Sequence, residues 1–347
     1  MTKKRSDLSR AFSEDGAIKT HVGGQALIEG IMMRGKYNWA VAVRQPDGTI
    51  STEEHDLNSG KPKNSWMNWP LVRGCRAMVE SLILGYKALE ISAMHAYDDE
   101  EDEEAPEQGD SSSTEQSDEK SDGGFGHKEM VISMVIGLVM GVVLFIVAPA
   151  ALTNLIVGEY DEHTLLWNVV DGLLRVVVFV FYIWLIGRMK DIRRMFCYHG
   201  AAHKTIHCFE HSLDLTPDNA RVSPRLHVRC GTAFLIMVMI IAILVYTIIP
   251  LNPIIAALGV PDGLPKLLLV ILVRILFLPV IAGVSYEITV KWAGSHPEMP
   301  LVKVILWPGM QMQRLTTHEP DDDMLECAII AMKMVLDREE KEAQAHV

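Results

Sequence analysis

Residues 131 to 147, VISMVIGLVMGVVLFIV, lie within a run from 130 to 158 that contains no Asp, Glu, Lys or Arg. A helix rises 1.5 Å per residue, so about 20 such residues cross the roughly 30 Å hydrocarbon core of a bilayer. Lipid offers no partner to a peptide group, which leaves a helix as the conformation for an isolated run of this kind. Three further runs, at 165–187, 231–249 and 264–286, repeat the pattern. They predict a mostly α polytopic membrane protein with about four transmembrane helices and the lipid bilayer as its first partner.

The connections between the runs set the expected orientation. Residues 151–164 and 250–263 hold no Lys or Arg, whereas the middle connection holds Arg188, Lys190, Arg193, Arg194, Lys204, Arg221, Arg225 and Arg229. By the positive-inside rule the middle loop is cytoplasmic, and with four spans both termini are too. The expected location is therefore the bacterial inner membrane. Asp171, Arg175 and Arg274 fall inside the runs, where charge is costly. Asp171 and Arg175 stand four apart and can pair along one helix face. Arg274 needs a partner from another span, and Asp171 is a candidate.

Of the net charge of −12, all arises between residues 98 and 122, where 13 acidic residues face a single lysine, Lys120. Low hydrophobicity and like-charge repulsion predict a disordered acidic linker, 98–128, and residues 1–20 read as a disordered amino terminus. No basic patch or aromatic RNA-type motif is present, so nucleic acid is not an expected partner. Five scattered cysteines argue for reduced thiols or a metal ligand over a disulfide framework.

Residues 21–97 predict a small α+β cytoplasmic domain. HVGGQALIEGIMMRG (21–35) is apolar but broken by glycines, which suits short strands, and 39–55 reads as two strands around Pro46-Asp47-Gly48. Pro70 opens a long amphipathic helix that either packs on the spans or lies at the bilayer surface with Trp66 and Trp69 as anchors. The remaining divisions are spans one and two (129–187), a cytoplasmic loop (188–230), spans three and four (231–290) and a carboxy-terminal segment (291–347). Pro320 and Asp321 to Asp323 start a final amphipathic helix that reads as a docking element.

The middle loop carries the chemistry. YHGAAHKTIHCFEH places His199, His203, His207 and His211 four apart, and His199 and His203 share a helix face with the spacing to bind one metal ion. His227 and Cys230 supply a second nitrogen and sulfur pair just before span three. The expected ligand set is His199, His203, His227 and Cys230, and an imidazole and thiolate set favours zinc over hard cations. Glu210 is placed to replace a ligand or orient a water. The alternative, which the ligand spacing disfavours, is that these histidines are solvated residues beside anionic lipid.

Together HVGGQALIEGIMMRG, YHGAAHKTI with Phe209-Glu210, HVRCGTAF and QRLTTHEP resemble the YqhQ-like family of bacterial multi-pass membrane proteins, over nearly the whole chain from His21 to Leu336. The resemblance implies a metal-dependent enzyme and brings no substrate. The family pattern reads YHGAEHK, an inverted zinc-peptidase arrangement whose glutamate serves as general base; here Ala202 stands in its place. Val228 likewise stands where the family has proline. The catalytic carboxylate would then be Glu29 or Glu210, although Glu29 could as well form an ion pair with Arg34. Two readings follow: a metal-dependent enzyme, such as a hydrolase, acting on a membrane-proximal substrate, or a non-catalytic scaffold in which the metal is structural. Metal transport is disfavoured by spans with so few polar residues.

Overall fold

A computed structural model describes residues 11, 21–57, 65–97, 127–158, 164–248, 258–261, 263–296 and 299–345. The expected disordered amino terminus, nearly all of the acidic linker and the connections at 159–163 and 249–257 lie outside the described residues.

Four strands form an antiparallel meander in the order β1 (Gly23–Leu27), β2 (Gly30–Arg34), β3 (Asn38–Arg44) and β4 (Ile50–Asp56). Met32 sits opposite Val41, and Val41 opposite Glu53. Successive side chains of a strand point to opposite faces. Accordingly Met32, Trp39, Val41 and Val43 pack on Leu84 and Ala88 of α1 (Val72–Tyr97), while Ile31, Met33, Ala40 and Ala42 pack beneath the other helices. Two covered faces explain why β3 is buried at almost every position and lacks the alternation of a half-exposed strand. The β3–β4 turn is the one expected: Asp47 accepts from the Thr49 N–H at 2.7 Å, and Gly48 has φ +86°.

Helix α1 packs on the spans, the first of the two alternatives expected for it. Gly74 lets it approach Gly283 and Tyr286 of the last span, and Arg73 forms a two-pronged ion pair with Glu287. Its outer side leaves Val79, Leu82, Ile83 and Met94 exposed, next to the exposed Trp66 and Trp69.

Helix α2 (His127–Val142) runs through one π turn, Val143–Val147, into α3 (Ala148–Val157); α4 is Thr164–Ile186. Among the described residues, three helical stretches are long and apolar enough to cross a membrane: Ile132–Val157, Leu165–Ile186 and Leu264–Trp292. In the first two only 11% of the most apolar window is buried, so their apolar surface faces outward, as lipid-facing helices require. The expected third span is the exception. Helix α7 (Gly231–Ile248) has 18 residues, about 27 Å of rise, and its described apolar stretch is only Phe234–Tyr246. It packs between α4 and α8 (Leu264–Tyr286).

The intramembrane charges meet at this junction. Arg274 on α8 forms an ion pair with Asp171 on α4 and donates to Asn168 Oδ1 at 2.5 Å; Arg175 donates to Asp171 Oδ2 at 2.9 Å. The Arg274 guanidinium also lies over the rings of Trp167 and Tyr246, at 4.7 and 4.8 Å from their centroids. Asn168 donates to the Tyr246 carbonyl, and the Tyr246 hydroxyl to the Arg274 carbonyl, at 2.8 and 2.7 Å. Three helices are thereby tied by groups that have no partner in lipid.

Beyond the bilayer runs, α5 (Lys190–Glu210) and α10 (Asp322–Ala345) pack together beneath the sheet. Asp321 caps α10 by accepting from the Met324 N–H at 2.9 Å. Met324, Leu325, Ala328, Ile329, Met332 and Val335 are its buried stripe, each contributing about 1.5–3 kcal/mol relative to exposure. Two elements went unforeseen: α6 (Pro217–Val222) and α9 (Pro300–Thr316), which packs along α7.

Asp171→Ala leaves two arginines without their carboxylate and is expected to cost about 3–5 kcal/mol in SDS-induced unfolding of the micellar protein; adding Arg274→Met should recover part of that loss. On α5, a Cβ at Gly200 would collide with the carbonyl of His318. Gly200→Ala should therefore lower stability by about 1–3 kcal/mol, read as a reduced thermal midpoint.

Candidate metal centre

Helix α5 carries a buried polar stripe that three clasps hold in place. Lys204 sits almost fully buried and spends its ammonium protons on the carbonyls of Arg221 and Ser223, both at 2.9 Å, and on Glu319 at 3.0 Å. That lashes the chain after α6 across the helix. Gln313 of α9 then grips the backbone of His227 from both sides, accepting from its N–H and donating to its carbonyl at 2.9 Å each. The turn that follows, with Cys230 N–H on the His227 carbonyl at 3.3 Å, delivers the thiol to the histidines.

His199, His203 and Cys230 offer one ligand atom each, all within 4.8 Å of one another. His199 donates from Nδ1 to the Thr316 carbonyl at 2.9 Å, and His203 from Nδ1 to the Arg225 carbonyl at 2.6 Å. A proton fixed on Nδ1 leaves the Nε2 lone pair bare, which is how metal-ligating histidines are commonly oriented. Nε2 of His199 lies 3.3 Å from the Cys230 sulfur. Burial opposes ionisation of that thiol, but the flanking imidazoles of His203 and His199 outweigh it, and Cys230 ionises well below the usual cysteine range. Burial likewise disfavours a charged His199, yet Cys230 and the Thr316 carbonyl raise it above the ordinary imidazole value. The trio thus combines a thiolate with two oriented imidazoles.

A second group, His207, Glu210 and His227, lies alongside. The ring of His227 is 5.8 Å from that of His203 and 4.6 Å from that of His207, centre to centre. His227 therefore falls beside the Cys230 group and not within it, against the expected ligand set. Both its nitrogens are engaged: Nδ1 accepts from the Arg229 N–H, and Nε2 faces Glu210, each at 3.3 Å. Glu210, fully buried, also forms an ion pair with Arg229. Burial, and then each other's proximity or that of Arg229, pushes His207 and His227 well below the ordinary imidazole value. His207 donates to the Leu226 carbonyl through Nε2 at 2.9 Å, while its buried Nδ1 has no hydrogen-bond partner. The four-residue stride from His203 to His207 was the available signal for this residue. His211 turns back onto the His207 carbonyl at 2.6 Å and joins neither group.

The two candidate carboxylates part company. Glu29 occupies the tight β1–β2 turn with φ +48° and pairs with Arg194, its oxygens 2.5 Å from Nε and Nη2, with the Tyr198 hydroxyl at 3.4 Å. Burial pushes the Tyr198 phenol up. Arg34, the partner expected for Glu29, instead lies 3.7 Å from Glu80. Glu29 holds the sheet onto α5 and is not among the residues that line the cavity at the centre.

That cavity, about 840 Å³, is lined by His199, His203, His227 and Cys230 at one place and by Phe179, Ile183 and Ile186 of α4 at another. Neither Glu210 nor His207 reaches it. Ala202 packs against Gly24 of β1 so closely that a Cβ on Gly24 would stand 2.8 Å from its own, and it shares an apolar core with Met33 and Tyr198.

Comparison with known proteins reaches the same residues. A family model described as protein of unknown function (DUF1385) matches residues 69–338, a stretch that takes in α1, every apolar helix, both ligand groups and most of α10. The uncharacterized protein YqhQ of Bacillus subtilis (strain 168) is 29% identical over 314 residues, which is 90% of this chain and 92% of that protein. No solved structure matches. The chain belongs to the YqhQ-like DUF1385 family, whose function is unknown.

Proposed function

We propose that this protein is a metal-dependent enzyme of the bacterial inner membrane, with a zinc-type centre at His199, His203 and Cys230 on the cytoplasmic face and a membrane-proximal substrate. The observation that carries the reading is the donor set: two imidazoles with Nδ1 committed to carbonyls, and a thiol disposed to ionise, beside a cavity. Imidazole with thiolate favours zinc among abundant divalent cations. Three protein donors are one fewer than a closed tetrahedral set, the count associated with catalytic zinc. Zinc there would supply Lewis acidity toward a carbonyl or phosphoryl group or toward water. The protein's own part is to orient the ligands through Thr316 and Arg225, to keep His227 aligned against Glu210 at the cavity wall, and to exclude bulk water. The basic middle connection, with α7 counted as a fourth, shorter span, supports a cytoplasmic position for this centre and for both termini.

A second reading, a scaffold whose metal is structural, draws on Ala202 and on the placement of Glu29 and Glu210, since among the described residues no carboxylate lines the cavity to act as base. Zinc would then clamp the 221–230 segment to α5 and α9.

Elemental analysis of the detergent-purified chain should find about one zinc per protein, lost in His203→Ala and in Cys230→Ala and retained in His211→Ala. Zinc far below one per chain, or zinc kept in both ligand variants, overturns the centre. Chelation separates the two readings: an enzyme keeps a nearly unchanged unfolding midpoint, whereas a structural clamp loses its soluble fold with the metal.

A further inference from the structure

The cavity is far larger than coordination requires. One water occupies about 30 Å³ of liquid, while pockets of roughly 300–1,000 Å³ suit whole organic ligands. At about 840 Å³ this one belongs to the second class. Its walls are also divided by chemistry. Phe179, Ile183 and Ile186 follow one another at helical spacing on a helix long and apolar enough to span the bilayer, and Leu235 of α7 adds to that wall. The same helix ends with Trp184 beneath the Arg188 guanidinium, 4.2 Å from the ring centroid, a pairing suited to the level of lipid headgroups.

Charge is divided as well. Arg34 and Arg229 line the cavity together with the histidines, and among the described residues no Asp or Glu does. Each arginine has its carboxylate, Glu80 or Glu210, outside the lining. A ligand entering from the span side therefore meets hydrocarbon first and cationic groups next.

We propose that the cavity takes an anionic, phosphate-bearing lipid, its hydrocarbon against α4 and its headgroup toward Arg34, Arg229 and the donor trio. Hydrophobic burial along α4 supplies affinity, and the arginines select the charge of the head. As a statement about substrate, this rests on the metal-enzyme reading; as a statement about binding, it does not need the metal.

Native mass spectrometry of the full chain, released from mild detergent with equal amounts of phosphatidylglycerol and phosphatidylcholine of matched chains, tests it. One phosphatidylglycerol per protein should be retained with at least tenfold preference, undiminished by millimolar inorganic phosphate. Ile183→Trp or Leu235→Trp should remove that one lipid by filling the cavity, and Arg34→Gln should reduce the preference for the anionic head. Both filling variants are checked for an unchanged unfolding midpoint, and either one that passes suffices. Removing the metal with a chelator should take the zinc and leave the lipid bound, so failure of the metal centre and failure of lipid binding are separable. Equal retention of the two lipids, retention unaffected by either filling variant, or displacement of the lipid by phosphate overturns the proposal.

Discussion

Two imidazole N–H groups on two backbone carbonyls, His199 on Thr316 and His203 on Arg225, govern everything chemical in this molecule. Neither carbonyl is near α5 in sequence. One ends α9 and the other belongs to the chain after α6, so the two imidazoles are oriented only when both segments are folded against the helix. That requirement accounts for the unusual polar investment nearby: a buried Lys204 lashing the 221–223 carbonyls and a buried Gln313 gripping His227 at both its backbone groups. Buried polar groups of this kind cost stability unless every partner is in place, and they specify one arrangement when it is. The bare Nε2 atoms facing Cys230 are the product of that arrangement.

The membrane portion follows a parallel logic with a different outcome. Asp171, Arg274, Arg175 and Asn168 are joined to one another and to Tyr246 across α4, α7 and α8. Apolar helices in lipid gain little from hydrophobic contact with each other, so polar ties and close packing decide their association. Gly172 shows the second device, since a Cβ there would collide with Ile243 of α7. The charges at 171, 175 and 274 are consumed in this tie. The chemistry is concentrated at the end of the bundle, where α4 and α7 meet the soluble body.

Much of this was legible in the residues. Apolar length announced the spans, Pro46-Asp47-Gly48 announced the hairpin, and the four-residue stride put His199 and His203 on one face. What stayed hidden depended on distant partners. The spacing from His227 to Cys230 does not say that Arg229 N–H and Glu210 will occupy both His227 nitrogens, so a four-ligand set looked natural where the structure forms two groups. Glu29 read as a carboxylate in a glycine-rich motif with Arg34 nearby, but strand pairing sends it to Arg194. Helix α9, with Pro308 inside it, offered no clean periodic signal, yet it supplies Thr316 and Gln313.

Ala202 bears on the choice between enzyme and scaffold in a way that spacing alone did not reveal. Residue 202 lies about 60° around the helix from His199, toward the sheet and not toward the sulfur. There it fits under Gly24, in an apolar wedge with Met33 and Tyr198. A longer polar side chain at this position would have to displace β1 or turn aside into the cavity whose wall includes Gly24. Alanine lets the sheet close onto α5, and Glu29 on Arg194 then latches it. The absent carboxylate is thus coupled to how tightly the strands seal one side of the cavity. If the centre is catalytic here, its base belongs to another lining group or to the ligand, because Arg229 N–H and Glu210 already engage both nitrogens of His227.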